Sequence, residues 1–363
     1  MSRQLQNHVR RLLGECGVHV GGDAPTDIHV TNEGLYGRVL RQGSIGLGES
    51  YMDGWWDTAD LDGFLYRLLT ARLDERVRGL SHAATYCRAA LFNLQRQSRA
   101  FQVGQRHYDL GNDLYRAMLD PRMVYSCGYW EYANSLADAQ EGKLELVFEK
   151  LRLRGGERIL DVGCGWGGAL KFAAERYGAC GTGVTISPPQ AEYAQASCRG
   201  LPVEIRVQDY REPLGTFDHI YSIGMFEHVG SKNYRRFMEC MRASISRKGR
   251  FLLHSIGAPS SRNHTDPWIE KYIFPNSMIP SASQITQAIE RLFTIDGWQR
   301  IGDHYVPTLL AWRANFERAW PTLRAKYDER FYRMWRFYLS ASAAMFRAHR
   351  LDVWQALLSP VTR

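Results

Sequence analysis

Residues 158–168 read Arg-Ile-Leu-Asp-Val-Gly-Cys-Gly-Trp-Gly-Gly, a short apolar run that passes directly into a glycine-rich turn. Ile159, Leu160 and Val162 suit a strand covered on both faces. Gly163, Gly165, Gly167 and Gly168 allow positive φ and let the backbone approach a ligand where a side chain would clash. The turn opens a helix near Gly167. Together these features make a nucleotide-binding elbow, but not the dinucleotide fingerprint. One glycine comes a position early, and the acidic Asp161 precedes the loop rather than following well after it.

Outward from this elbow, strand and helix patterns alternate. Strands are expected at 157–164, 180–187, 203–209, 217–225 and 249–257, and helices at 166–177, 188–199 and 231–246. This alternation predicts an α/β fold, a doubly wound and mostly parallel sheet with helices on both faces. The ligand then belongs outside the carboxyl ends of the strands, where strand order reverses. An irregular segment from Gly257 to about Ser283 is long enough to serve as a lid, and aromatic-rich helices follow it. The chain divides into a smaller, mainly helical N-terminal domain (1–85), a basic linker (86–102) and a catalytic domain (103–363).

The 363 residues, 45% hydrophobic and 23% charged, have ordinary globular composition. No apolar stretch reaches the roughly 20 residues of a membrane-spanning helix, and the first residues lack a signal-peptide core, so a cytoplasmic location is expected. Cys16, Cys87, Cys127, Cys164, Cys180, Cys198 and Cys240 form no C-x-x-C pair. In a reducing compartment they support neither a zinc site nor a disulfide framework, and no metal is expected. The net charge of +8 points to an anionic partner. Between Arg67 and Arg106 eight arginines face two acids, Asp74 and Glu75, with leucines interleaved. Two readings stand for this stretch: a solvated linker helix packed on the main domain, or a surface that lies on an anionic bilayer. No RNA-binding signature accompanies the charge, and no nucleic-acid partner is expected.

Polar residues cluster where the strands end. Ser187 and Pro188 read as the N-cap and first position of a helix, and Thr185, Ser187 and Gln190 stand where many nucleotide-binding sheets place an acid. Gln208-Asp209-Tyr210 reads either as a strand-terminating turn or as an adenine contact, with Asp209 accepting from the amino group and Tyr210 stacking. Glu227 follows an apolar run directly, and His254 sits inside the apolar strand 249–257 near its ligand-facing end. Two such polar exceptions at neighbouring strand ends point to a site.

Six segments then converge on one family: Tyr125-Ser-Cys-Gly-Tyr-Trp130, Leu160–Gly168, Gly183-Val-Thr-Ile-Ser187, Gly224-Met-Phe-Glu-His-Val-Gly230, Leu253-His-Ser-Ile-Gly257 and Trp268–Asn276. In order and spacing the chain resembles the cyclopropane-fatty-acyl-phospholipid synthases, whose fold is that of class I S-adenosylmethionine (AdoMet) methyltransferases. Gly46–Trp56 and His107–Asn112 resemble the long bacterial form that acts on intact phospholipids.

The resemblance implies transfer of the AdoMet methyl to a cis double bond of an unsaturated acyl chain, followed by proton loss from a carbocation that closes the ring. Dry surroundings and aromatic faces such as Tyr129, Trp130, Trp268, Tyr272 and Phe274 suit such a cation. It further implies a bicarbonate ion as base, held by Cys127, Glu227, His254, the backbone of Ile256 and Tyr305, with Glu227 orienting His254. By the same carry-over AdoMet is held by Tyr125, Ser126, Gly163, Gly165, Gly167, Thr185, Gln190, Asp209 and Tyr210. The implied partner is a phospholipid bilayer with unsaturated chains, anionic at its surface. A peripheral position on the inner face of the membrane and a homodimer follow by the same resemblance. A fatty-acid C-methyltransferase giving a branched or methylene product, and a catalytically silent lipid-binding protein, are the alternatives.

Overall fold

The computed structural model describes residues 3–77, 111–262 and 265–362. The linker at 86–102, the arginines from Arg78 to Arg106 and the segment His107–Leu110 lie outside the described residues. Two compact units emerge: Met1–Phe92 with His264–Pro275 and Leu309–Arg350, and Asn93–Asn263 with Asn276–Thr308 and Leu351–Arg363.

The second unit is built on the elbow. Strands β3 (Arg158–Val162), β4 (Cys180–Thr185), β5 (Val203–Val207), β6 (Phe217–Ile223), β7 (Ile245–Gly257), β8 (Phe293–Arg300) and β9 (Asp352–Pro360) form one sheet in the order β5-β4-β3-β6-β7-β9-β8. β1 (His29–Val30) and β2 (Trp56–Asp57) pair separately in the first unit. β3 to β7 run parallel, whereas β9 is antiparallel to both β7 and β8. The chain leaves β3 toward β5 and returns on the other side at β6. The crevice outside the carboxyl ends of β3 and β6 is therefore the switch point of an open α/β sheet.

Both faces of the sheet are covered, as the apolar strands require. Leu160 and Val162 pack with Phe237, Met238 and Met241 of helix Tyr234–Ser244 on one face. Ile159 packs on the other with Leu144, Val147 and Phe148 of helix Leu136–Leu151 and Leu170 of helix Gly168–Tyr177. Side chains alternate along a strand, so Asp161 shares the face of Ile159 and looks toward helix 136–151.

The expected parallel core is present, and β8 and β9 extend it beyond the elements expected after residue 283. The segment 258–283 is not irregular throughout. Asp266 caps a helix at Pro267–Tyr272 by accepting from Trp268 N–H at 2.9 Å.

The first unit explains why two distant motifs are constrained. Glu49 is buried in helix Ser44–Met52, where it accepts from Lys271 Nζ at 2.6 Å, the Tyr272 hydroxyl at 2.7 Å and Arg38 at 2.5 Å. Burial opposes ionisation there, but these three donors outweigh it and hold the carboxyl at about 2. Gly48 faces Trp268 so closely that a Cβ would sit 2.4 Å from the indole nitrogen. Helix Glu329–Arg347 packs on helix Leu61–Thr70 in the same unit. Residues 264–275 and 309–350, which the sequence assigns to the stretch 103–363, cluster with the N-terminal helices in this unit.

Candidate active site

The glycine loop leaves β3 with three positive φ angles, 90° at Gly163, 53° at Gly165 and 81° at Gly167. The loop is anchored by Gly163 and Cys164 N–H, which both donate to Val184 O at 3.0 Å. A Cβ would strike Met225 at Gly163, Ala194 at Gly167 and the Arg122 carbonyl at Gly168, but would meet no protein atom at Gly165. Gly165 is therefore the point where another molecule can approach the backbone, at the start of helix 168–177 and its positive dipole end. Tyr125 stands beside this loop through Tyr115, whose ring centroid is 5.3 Å from Tyr125 and 4.8 Å from Trp166.

At the end of β4, Thr185 and Gln190 hydrogen-bond to each other at 3.1 Å, and both are buried. Ser187 occupies the N-cap position without capping. Its side chain makes no cap hydrogen bond, and its hydroxyl is buried without a partner. A buried hydroxyl left unpaired costs about 1–3 kcal/mol, so this atom fits a ligand group better than a structural role. The orphaned Ser187 hydroxyl and the open Gly165 cradle together suit a nucleoside with a flanking polar tail. Asp209 accepts from Arg211 N–H at 2.9 Å and pairs with the Arg211 guanidinium at 3.1 Å. Tyr210 is drawn into the core, edge-on to Phe237 at 5.1 Å with Arg211 over its ring at 5.0 Å. These contacts favour the strand-terminating turn over stacking for Tyr210, because its ring is covered from within the protein.

The second cluster lies at the ends of β6 and β7. Glu227 sits in a short helical turn after β6 and is 6% exposed. One carboxylate oxygen accepts from Ile256 N–H at 2.6 Å, and the other is buried without a partner. Burial outweighs the Ile256 bond and lifts the carboxyl to about 7. The Ile256 amide is thus engaged by Glu227 itself, which differs from the expectation that it faces an anion. Nor does Glu227 orient His254. The Nδ1 of His254 lies 3.2 Å from Gln355 Nε2, its register partner across the β7–β9 pairing. Burial, and then the charges of Lys143 and Lys150, hold the imidazole well below its usual range, so it is neutral.

Cys127 is fully buried, with its thiol directed to Gly128 O at 3.2 Å and Ile301 O at 3.7 Å. Burial pushes this thiol well up, so it is a hydrogen-bond donor and no thiolate nucleophile. Gly128 N–H and the Trp130 indole converge on Thr308 Oγ1 at 3.1 and 2.8 Å, which ties the Cys127 segment to the first turn of helix Tyr305–Leu323. Tyr305 opens that turn and is 9% exposed.

Lys143 was invisible to the sequence reading. It is fully buried on helix 136–151, donating to Ser126 Oγ at 3.0 Å, while Gln140 donates to Ser126 O at 2.8 Å. Burial lowers it to about 8 in spite of the opposing pull of Asp120, Cys127 and Asp161. Asp161 in turn is raised to about 7 by burial. The lysine occupies a position on the apolar stripe of its helix, among Leu144, Val147 and Leu151, and that misplaced charge is the signal that marks it. Its charge bears on Cys127 and His254 alike, giving the site a positive floor.

Of the expected aromatics, Tyr129 and Trp130 belong to this unit, with Tyr129 4.6 Å from His304. Trp268, Tyr272 and Phe274 belong to the other, where Trp268 packs on Phe337 at 4.8 Å and Phe274 on Tyr338 at 5.8 Å.

Known proteins resemble this chain in sequence and in fold. A solved mycolic acid cyclopropane synthase, CmaA1 complexed with SAH and CTAB, is 31% identical, with a TM-score of 0.67 over 71% of this chain and 97% of that one. Tuberculostearic acid methyltransferase UfaA1 of Mycobacterium tuberculosis is 34% identical, covering 89% of this chain and 80% of its own length. Cyclopropane-fatty-acyl-phospholipid synthase of Escherichia coli K12 is 47% identical over 349 residues, 96% of this chain and 91% of that protein. The family model for mycolic acid cyclopropane synthetase matches residues 95–356, and the chain belongs to that family.

Proposed function

We infer that the protein is an AdoMet-dependent cyclopropane-fatty-acyl-phospholipid synthase. It converts a cis double bond of a phospholipid acyl chain into a cyclopropane ring. The observation that carries this reading is the 47% identity to the Escherichia coli synthase along 96% of the chain, joined to a glycine cradle at the switch point of an α/β sheet. AdoMet supplies an electrophilic methyl group. Gly163, Gly165, Gly167, Tyr125, Ser126, Thr185, Gln190 and Asp209 are the residues proposed to hold it, and the unpartnered Ser187 hydroxyl joins them. An alkene is a weak nucleophile, so the protein's contribution is alignment and the exclusion of water that would trap a cation as alcohol.

The ring closes only when a proton leaves. Bicarbonate is the proposed base, bound among Cys127, Glu227, His254, Ile256 and Tyr305. The donor set fits an anion: a protonated thiol, a neutral imidazole, the buried Lys143 and the half-buried Lys150 nearby. One unpaired oxygen of Glu227 is placed to accept a hydroxyl proton when the carboxylate is ionised. Depleting carbonate from the assay and restoring it tests this role, and activity indifferent to carbonate would remove it.

A second reading, a fatty-acid C-methyltransferase giving a branched or methylene product, is supported by the 34% identity to tuberculostearic acid methyltransferase UfaA1. Product mass separates the branched product, since a saturated branched chain is heavier than the ring by two hydrogens.

Peripheral binding to the inner membrane face and to anionic lipid is supported by the net charge of +8. Each basic side chain near such a surface contributes about 1 kcal/mol. Among the described residues no helix is long and apolar enough to cross a membrane. Within the described part of the arginine stretch, Arg67 donates to Cys16 O and Gly17 O at 3.3 and 3.2 Å, and Arg76 pairs with Glu15 at 2.6 Å. Arg72, with a side chain 71% exposed, is the one of these three suited to a headgroup. A homodimer is proposed on the family resemblance, with sedimentation as its test.

A further inference from the structure

Behind His254 a row of three polar side chains crosses the interior of the second unit. Lys150, on helix 136–151, donates to Gln355 Oε1, and Gln355 Nε2 lies 3.2 Å from His254 Nδ1. Gln355 is 1% exposed and His254 2%. The two stand directly opposite each other in the antiparallel β7–β9 register, where side chains on one face lie within contact distance. None of the three is placed by accident of the surface. A buried amide must satisfy both its ends, and the half-buried Lys150 finds its acceptor in the amide oxygen.

The donor and acceptor inventory then fixes the protons. An ammonium group only donates, so the oxygen of the Gln355 amide faces Lys150. The other end of the amide is therefore NH2, which also only donates. His254 Nδ1 must accept from it and carries no proton. The ring is neutral, being buried and exposed to the charges of Lys143 and Lys150, so its single proton resides on Nε2. We infer that Lys150 and Gln355 are positioning residues that lock His254 in the Nε2–H tautomer, making it a hydrogen-bond donor to the anion proposed between β6 and β7 and barring it from acting as the base. This inference rests on the proposed function for its catalytic consequence, but the tautomer itself is independent of turnover.

Two changes separate the roles. Gln355→Glu offers a carboxylate to Nδ1, still paired with Lys150, and so draws the proton from Nε2 to Nδ1. Lys150→Met frees the amide to turn over, while Lys150→Arg keeps a donor that cannot accept. The test uses the full chain with 15N-labelled histidine and nitrogen NMR, with His254→Asn identifying the resonances. The expected result is an unprotonated Nδ1 and a protonated Nε2 in the parent and in Lys150→Arg, with the pattern reversed in Gln355→Glu. Turnover on unsaturated phospholipid should fall about 10- to 100-fold in Gln355→Glu and Lys150→Met, as when an orienting partner is removed from a ligating histidine, with KM for AdoMet unchanged and activity restored in Lys150→Arg. A proton on Nδ1 in the parent overturns the inference, as does full activity in Lys150→Met. Should Gln355→Glu fail to fold, the parent spectrum and the Lys150 pair still decide. A correct tautomer in a protein that forms no cyclopropane would instead count against the proposed function alone.

Discussion

The carboxylate of Glu227 accepts the backbone N–H of Ile256 at 2.6 Å, closing the end of β7 over the turn that follows β6. This bond is bought with burial: the carboxyl is raised to about 7 from an ordinary value of 4.5. A raised acid stabilises the fold below its unfolded value and loses that contribution as pH rises through its folded one. Glu227→Gln keeps the Ile256 bond without the buried charge. Its melting temperature should match the parent near about pH 4 and exceed it by a few degrees near about pH 8, with turnover sharply reduced and AdoMet binding kept. Equal melting curves at both pH values would show that the carboxyl is not perturbed.

Gly165 and Gly168 separate binding from folding. Alanine at Gly165 meets no protein atom but must hold φ at 53°, at a cost of about 1–2 kcal/mol, and places a methyl in the cradle. AdoMet affinity by calorimetry should drop about tenfold or more while the protein stays folded. Alanine at Gly168, whose Cβ would lie 2.1 Å from the Arg122 carbonyl, should instead prevent correct folding. Affinity unchanged in Gly165→Ala would move the cofactor elsewhere.

The Ser187 hydroxyl distinguishes a cap from a ligand contact. A capping serine replaced by alanine loses about 1 kcal/mol, but this one makes no cap bond. Thermal melts of Ser187→Ala without AdoMet should overlay the parent, and the stabilisation conferred by added AdoMet should shrink. A lower melting temperature in the absence of AdoMet would restore the capping role.

Lys143 and Asp161 are expected to couple. Removing the cation by Lys143→Met leaves Asp120 and Asp161 buried without it, so the variant should be markedly less stable. Adding Asp161→Asn should recover part of the loss, a coupling of about 0.5–3 kcal/mol in denaturant titrations. Strict additivity would place the two outside each other's field.

Thiol reactivity follows burial. Cys127 is buried with its thiol held protonated, whereas Cys180 is exposed. Maleimide at neutral pH should modify Cys180 rapidly and leave Cys127 intact until the protein unfolds, as peptide mass mapping will show. Fast labelling of Cys127 in the folded protein would argue for an activated thiolate.

What was legible in the sequence was what is local. The elbow at 158–168 encodes its own strand, turn and helix, and the polar exceptions Glu227 and His254 stand out against apolar runs only a few residues long. Lys150 and Gln355 were not legible because each reads as an ordinary surface residue until the sheet is assembled, and Lys143 is marked only by its place on the apolar stripe of its helix. Gln355 meets His254 only through β9, which returns antiparallel after two 19-residue helices. At Tyr210 the sequence leaves two readings open. A tyrosine at a strand end resembles a stacking platform, yet Phe237 and Arg211 claim its ring. The grouping of residues 309–350 with the N-terminal helices was hidden for the same reason, since it rests on contacts that no linear pattern announces.

Ring formation is decided by transfer from AdoMet bearing a fully deuterated methyl group to vesicles of cis-unsaturated phospholipid, with mass and proton spectra of the released acyl chains. A cyclopropane synthase yields a chain that has gained one carbon carrying two of the three deuterons, with no double bond and with cyclopropane proton signals. A chain that keeps all three deuterons, or that retains a double bond, would contradict ring formation.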